Sequence, residues 1–529
     1  MLLTGEIPRL NALKYPHKAA LHYEDKATLT WSQLDERSNR LANSLQQLGV
    51  AQGDRVALIA RNRPNCVESL FACAKAGIVY APLNYRFVGE EIVYVLQDSG
   101  AEVLLCDVEY ADVVRGIRDR VPSLRVIVGF GEGHGFDVDY EDLLAVASGE
   151  QPITARPVDL DDVCWVCYTG GTTGMSKGVM LTHRNNYAQI ANLAIADRVC
   201  HEDVYLVNGA LFHVVLNMAL PYWYVGGTVV IIDFTAEGCL DLIERHRVTK
   251  TVPVATMLNL LVELQRRAPR DLSSLELMGC GGAPISPDTV RVASEAFGCD
   301  FVQYFGQTEA AHHFTYLSAE DYRRGLAQDA TDTERQRLLS GGRAQHLCLA
   351  RIVDGDDETL GIGEVGEICG WGPNVMKGYW NKPELTQETL KGGWLHTGDL
   401  GYMDEDGYVY VVDRKKDMIV TGGENVFSSE VEKALYQHSD VLEAAVIGIP
   451  DARWGEAVTA FVVRRAGTTS SEEDLRSHCR GLISHYKVPK QVLFVDALPK
   501  AATGKIQKAA LRDQYWTGQG RRVGASESS

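Results

Sequence analysis

Short apolar, β-branched runs alternate along this chain with stretches of helical period. Residues 55–60, 102–106, 125–129 and 228–232 are runs of five or six residues with the make-up of buried strands. Residues 36–48 and 286–297 repeat their apolar positions at the spacing of an amphipathic helix. Strands that alternate with helices predict α/β layers, so the expected fold is a large N-terminal α/β body with mostly parallel sheets. A strand over residues 408–412 runs into the charged stretch DRKKD at 413–417 and then a glycine-rich turn. That change of pattern predicts a large domain over residues 1–413 and a small α+β C-terminal domain over 414–515. The polar tail, residues 516–529, is expected to be disordered. No fixed-period repeat is found.

Residues 214–232 carry no charge over 19 positions, close to the length that spans a bilayer. Asn217, Pro221 and the pair Gly226-Gly227 interrupt the run. The glycines predict a turn between a helix and a strand, so the segment is expected to be buried core and not a transmembrane span.

Composition changes the picture in three places. With 529 residues, 45% hydrophobic and 23% charged, the chain has the make-up of a globular protein. A formal charge of -18 argues against a nucleic-acid partner, because such binders gain affinity by neutralising phosphates. The twelve cysteines are too dilute for a disulfide scaffold, and most fall in apolar stretches. Cys164 and Cys167 have the spacing of a metal motif but lack a second pair, so they are expected to be small residues of a buried strand. The N-terminal stretch has neither a basic region before an apolar run nor a small-residue cleavage site, and the expected compartment is the cytoplasm.

The strongest local signal is YTGGTTGMSKGV at residues 168–179, directly after an apolar run. Gly170, Gly171 and Gly174 allow tight turns that present backbone N–H groups. Thr169, Thr172 and Thr173 add hydroxyl donors, and Lys177 adds a positive charge. Together they describe a phosphate-binding loop. It is not a Walker loop, since Lys177 is followed by Gly178.

Further motifs follow: LFH at 211–213, GGAP at 281–284, QYFGQTE at 303–309, GWLHTGD at 393–399, DRKKD at 413–417, GGEN at 422–425 and PKAATGK at 499–505. In this order the set resembles the AMP-forming acyl-CoA synthetases of the adenylate-forming superfamily, from about residue 30 to about residue 508. The resemblance implies that a carboxylic acid attacks the α-phosphate of ATP, pyrophosphate leaves, and a thiol, usually that of coenzyme A, takes the acyl group from the adenylate. It implies Mg2+ held by Glu309, with Thr308 on the α-phosphate, roles that suit a hard oxygen ligand and a hydroxyl donor.

By the same resemblance Tyr304 and Phe305 lie at the adenine, with backbone groups at Gly282 and Ala283 nearby. The family more often has Tyr where this chain has Phe305, which keeps the stacking face. Asp399 and Arg414 would hold the ribose. Lys505 would be the mobile lysine that the small domain delivers to the reacting groups, and Lys416 the hinge between the domains. Gly422 and Gly423 would line the passage for the pantetheine arm of CoA. Ser176 and Ser428 stand where the family commonly has Pro.

His213 takes the place that amino-acid-activating relatives give to Asp. A buried substrate ammonium would have no carboxylate partner there, which excludes α-amino acids. His213 is assigned to the wall of the carboxylate pocket, and by analogy the acyl pocket draws on Val214, Val215, Asn217, Val254, Gly281, Gly306 and His312. Mostly apolar, it suits a hydrophobic tail or a ring, without separating the two. An acyl- or aryl-CoA ligase is expected. A stand-alone enzyme that loads a carrier-protein phosphopantetheine and a non-catalytic acyl-binding protein are the alternatives. The oligomeric state stays open, with a homodimer among the options.

Overall fold

The computed structural model describes residues 3–169, 176–213, 215–282, 285–451, 453–500 and 506–516. An eight-stranded sheet runs Gly378–Tyr379, Lys177–Thr182, Val163–Thr169, Val79–Pro82, Arg55–Ile59, Val103–Asp107, Val126–Phe130, Val138–Asp139. Its strands are parallel from Val163–Thr169 onward, and the first two are antiparallel additions. A nine-stranded sheet is parallel from Asp300–Phe305 through Leu277–Gly281, Lys250–Thr251, Val204–Val207 and Thr228–Ile231 to Ala19–Tyr23, with antiparallel strands at both edges. One core joins these two sheets through Trp31, Phe71, Tyr80, Trp165, Tyr205 and Trp223.

The helices start and stop where local chemistry dictates. Thr30 closes a capping box on Gln33 ahead of the Trp31–Gln47 helix. Pro64 opens the Pro64–Ala76 helix, and Gly77, left-handed at φ 66°, ends it. The 286–297 expectation is met by the Pro287–Phe297 helix, with Ser286 as its N-cap.

Residues 215–232 resolve as expected into the Val215–Val225 helix, a left-handed Gly226 and the Thr228–Ile231 strand, with Val214 outside the described residues. Among the described residues no helix is long and apolar enough to cross a membrane. Cys164 and Cys167 are both buried in the Val163–Thr169 strand. A β-bulge between Val163 and Trp165 lets both pack into the same apolar core, and among the described residues no third ligand joins them to hold a metal ion.

Two further sheets follow. Leu349–Val353, Gly366–Trp371, Leu395–Met403 and Val409–Arg414 form an antiparallel sheet, which the expectation of mostly parallel layers did not separate out. The C-terminal part builds on Ile419–Thr421, Glu424–Val426, Val441–Asp451 and Gly455–Arg464, with Gln491–Phe494 added in parallel. Its helices include Ser428–Tyr436, Glu472–Arg480 and Lys508–Arg512. Gly422 and Gly423 are the two-residue turn of the Ile419–Val426 hairpin, with φ of 61° and 85°. Positive φ at both positions is the signature of a type I′ turn and explains the Gly-Gly pair.

Candidate functional site

The glycine-rich loop and the LFH, GGAP and QYFGQTE motifs follow or end parallel strands at their carboxyl ends, where open α/β sheets characteristically bind ligands, whereas Asp399 and Arg414 come from the antiparallel sheet. Val163–Thr169 and Lys177–Thr182 pair antiparallel, with Thr169 opposite Lys177, and so form the stem of the glycine-rich loop. Gly170, Gly171, Thr172, Thr173 and Gly174 lie outside the described residues, as do Val214, Ala283 and Lys505. The stem itself is braced: the Tyr94 hydroxyl donates to the Ser176 carbonyl at 3.0 Å, and the Tyr168 hydroxyl donates to Asp98 at 2.8 Å.

Lys177 does not stand alone. Its Nζ lies 5.3 Å from the centre of the Tyr379 ring, and the Tyr379 hydroxyl donates to Glu309 Oε1 at 2.7 Å. One aromatic side chain therefore links the loop lysine to the carboxylate of a distant motif. Tyr379 reaches this position because its strand pairs with Lys177–Thr182, placing it opposite Val179. Burial and the neighbouring Glu309 charge push its phenol above the usual range, so it stays protonated and remains a donor. The preceding segment holds the backbone of the same turn: Met376 N–H donates to the Glu309 main-chain carbonyl at 2.8 Å, and buried Asn374 donates to the Ala310 and His313 carbonyls at 2.9 and 3.1 Å. None of Asn374, Met376 or Tyr379 was singled out from the sequence. The only available signal was a tyrosine and an asparagine in an otherwise unremarked stretch before the Pro383–Thr389 helix.

Thr308 and Glu309 occupy a short 3₁₀ turn, Thr308–Ala310, after the Asp300–Phe305 strand. The backbone beyond it is strained, with Ala311 at φ 50° and His312 at φ 113°. Gly306 is required by close approach, since a Cβ there would fall 2.3 Å from His313 Cα. Among the described residues no group of three or more His, Cys, Asp or Glu side chains could hold a metal by itself. Glu309, a half-buried hard oxygen donor with Thr308 beside it, fits the way magnesium binds alongside phosphates, through one or two carboxylates.

Phe305 keeps a half-buried ring, 5.6 Å from Phe314. Gly282 is exposed, with open space around its Cα. The Tyr304 side chain points elsewhere: it is buried and its hydroxyl donates to Asp197 at 2.7 Å, which leaves only its backbone beside Phe305. Burial raises the Asp197 carboxyl to about 7, with the Tyr304 bond and the Lys250 charge working against that rise.

The two ribose candidates meet across strands. Asp399 and Arg414 are register partners, and Arg414 Nε lies 3.1 Å from Asp399 Oδ1. The Asp399 side chain is 8% exposed and that of Arg414 47%, so the acid is fixed while the guanidinium fork still reaches outward. Glu367, another residue the sequence reading missed, holds the turn before Asp399. It accepts from Gly398 N–H at 3.0 Å and pairs with Lys415 at 3.0 Å. Burial works against its charge, but His396 and Lys415 outweigh that and hold its carboxyl down at about 2.

The acyl candidates form a ring-lined cluster. Phe212 sits edge-on to Tyr85 at 5.4 Å, with His213 beside it at 6.2 Å, and Tyr304 is edge-on to His312 at 6.1 Å. Asn217, 1% exposed, donates to the Ala311 carbonyl at 3.4 Å, tying the Val215–Val225 helix to the strained turn. His312 is held down at about 3, by burial first and by nearby His213 second, so it is neutral at working pH. Gly281 packs against Tyr304, Val215 is half-buried, and Val254 is 42% exposed, forming rim and not wall. Lys416 is half-buried, and burial lowers its ammonium to about 8 against the opposing charge of Asp417.

Residues 9–380 match the family model described as AMP-binding enzyme, and residues 430–505 match its C-terminal domain. The chain belongs to the AMP-binding enzyme family. Among curated relatives of this AMP-binding enzyme, a feruloyl-CoA synthase of Amycolatopsis sp is 39% identical, covering 97% of this chain and 99% of the relative. The fatty acid–[acyl-carrier-protein] ligase ScoC of Streptomyces coeruleorubidus is 34% identical, covering 94% and 93%. The crystal structure of ATP-bound MatB from Rhodopseudomonas palustris superposes with a TM-score of 0.84 at 31% identity, covering 97% and 99%. This AMP-binding enzyme is an acid–thiol ligase: it forms an acyl-adenylate from a carboxylic acid and ATP and transfers the acyl group to a thiol.

Proposed function

We propose that the acid is hydrophobic and carries a planar aromatic ring, and that coenzyme A is the acceptor. The aromatic cluster around Phe212, His213, Tyr304 and His312 carries this reading, because aromatic rings pair favourably, edge-on or offset, with a further aromatic ring. The feruloyl-CoA synthase relative supports it. A neutral His312 and the absence of an acid at the His213 position favour an uncharged tail over an α-ammonium.

The proposed chemistry divides among the chain's polar groups. An oxygen of the substrate carboxylate attacks the α-phosphorus and the bond to pyrophosphate breaks, with Lys177 neutralising charge on the departing phosphates and the Thr169 hydroxyl donating to them. Thr308 donates to the α-phosphate. Glu309, oriented by Tyr379, would hold magnesium, which would neutralise phosphate charge there. Asp399 accepts from the ribose hydroxyls, with Arg414 steadying it. Lys505 stabilises the attack. Rotation about Lys416 then withdraws Lys505, and the CoA sulfur attacks the acyl carbon as AMP leaves. In this scheme the domain boundary falls between residues 413 and 414, and Gly422-Gly423 borders the pantetheine passage. The same reading places the enzyme in the cytoplasm, where its twelve free cysteines stay reduced.

Acid-dependent ATP/pyrophosphate exchange over ferulate, other hydroxycinnamates, arylacetates and medium- and long-chain fatty acids tests the proposal. Exchange confined to fatty acids would overturn the aromatic assignment. The ScoC relative favours a second reading, a carrier-protein acceptor. Supplying CoA and then a holo-carrier protein to the preformed adenylate distinguishes the two.

A further inference from the structure

We infer that Ser428, which stands where the family commonly has Pro, is a positioning residue that latches the hinge in the arrangement described here. The inference rests on the proposal that the C-terminal part rotates about Lys416. Asp413 and Ser428 lie on opposite sides of that residue in the chain. Asp413 belongs to the last strand of the antiparallel body sheet, and Ser428 opens the first helix of the C-terminal part.

Ser428 is fully buried and uses its hydroxyl in both directions. It donates to Asp413, at 2.8 Å to Oδ2 and 3.1 Å to Oδ1, and it accepts from Lys508 Nζ at 2.7 Å. Lys508 also pairs with Glu432 at 2.7 Å. The result is a relay from ammonium through hydroxyl to carboxylate across the hinge, with one cation shared between two buried acids. Burial, with the Asp413 charge adding to it, raises the Glu432 carboxyl despite Lys508, so the cluster has no cation to spare. Proline could neither donate nor accept here.

Neighbouring contacts cross the same junction. Ser429 N–H donates to Asp413 Oδ2 at 3.3 Å, and the Ser429 hydroxyl donates to the Val412 carbonyl. One helical turn beyond Lys508, Arg512 donates to the Lys416 carbonyl at 3.0 Å and to Asp417 at 3.0 Å. Rotation about Lys416 carries Asp413 away from Ser428 and must break the relay, so the relay stabilises one arrangement relative to the other. Lys508 follows Lys505 by three positions, which couples the latch to the segment bearing the proposed mobile lysine.

The test measures two half-reactions in Ser428→Ala, Ser428→Pro and Ser428→Thr: single-turnover pyrophosphate release from acid plus ATP, and thioester formation from supplied acyl-adenylate plus CoA. Loss of a hydrogen bond to charged groups should shift the ratio of the two rates by about tenfold in the Ala and Pro variants. Ser428→Thr, which keeps the hydroxyl, should stay within about twofold of wild type. A ratio that does not move, or two rates that fall together in the soluble, folded variants, would overturn the latch. Lys416→Pro separates this failure from that of the hinge. If it splits the half-reactions while the Ser428 variants do not, the latch is wrong and the hinge stands. If it leaves the ratio unmoved, the hinge reading fails and the latch with it.

Discussion

Replacing Tyr379 with Phe removes one oxygen atom and leaves the ring under Lys177. The hydroxyl donates to the Glu309 carboxylate at 2.7 Å, a bond of the charge-assisted class worth about 1.5–3 kcal/mol when buried. Glu309 is only half-buried, so water recovers part of that, and a net loss of about 1.4 kcal/mol corresponds to a tenfold slower step. The contact between Lys177 and the ring, at 5.3 Å, is retained in the Phe variant. Tyr379→Leu abolishes it as well and should cost a further two- to fivefold, from an interaction of about 0.5–1 kcal/mol. The assay is acid-dependent pyrophosphate release with ATP varied, beside thioester formation from supplied adenylate. The first should fall about tenfold in Tyr379→Phe and the second should stay within about twofold, because only the first involves the β- and γ-phosphates. If pyrophosphate release is unchanged in the Phe variant, Tyr379 does not orient Glu309. If both half-reactions fall in proportion to lost thermal stability, its role is packing alone.

Lys505→Ala should abolish pyrophosphate release yet spare thioester formation from supplied adenylate, and loss of both in a folded protein would refute its assignment. Gly306→Ala drives a Cβ to 2.3 Å from the His313 backbone and should cost about 3 kcal/mol or more, read as a fall in urea midpoint and soluble yield. Acid should destabilise the protein well before its carboxylates titrate. Burial lowers His183 to about 4 and drives His313 well below 6.5, so both stay neutral in the folded state while the unfolded chain takes up protons below about pH 6.5. Each should therefore remove up to about 1.4 kcal/mol of stability per pH unit as pH falls from 6.5 toward 4, which urea unfolding at pH 7.5 and 5.5 measures. Flat stability over that range would refute the buried neutral histidines.

Much of the site was legible in the sequence because its motifs are local. A glycine-rich loop after an apolar strand, or an acid three residues past a glycine as Glu309 is past Gly306, announces itself within ten residues. The supports were not legible. Tyr379 lies 70 positions from Glu309, and Glu367 lies 31 from Gly398, and nothing in a linear pattern says that either pair meets. Tyr304 shows the limit in the other direction: its motif placed it at the nucleotide, yet its side chain turns to Asp197 because successive residues of a strand face opposite sides.

Periodicity and motif order alone determined the α/β class, the family and the polar groups expected to handle phosphate and ribose, since apolar spacing and residue chemistry are written in each segment. Tertiary structure alone decided which side chains hold those groups in place: Tyr379 between Lys177 and Glu309, Glu367 behind Asp399, and Ser428 between Lys508 and Asp413. A hydrogen bond acts over about 3 Å, and strand register and sheet order determine which atoms come that close.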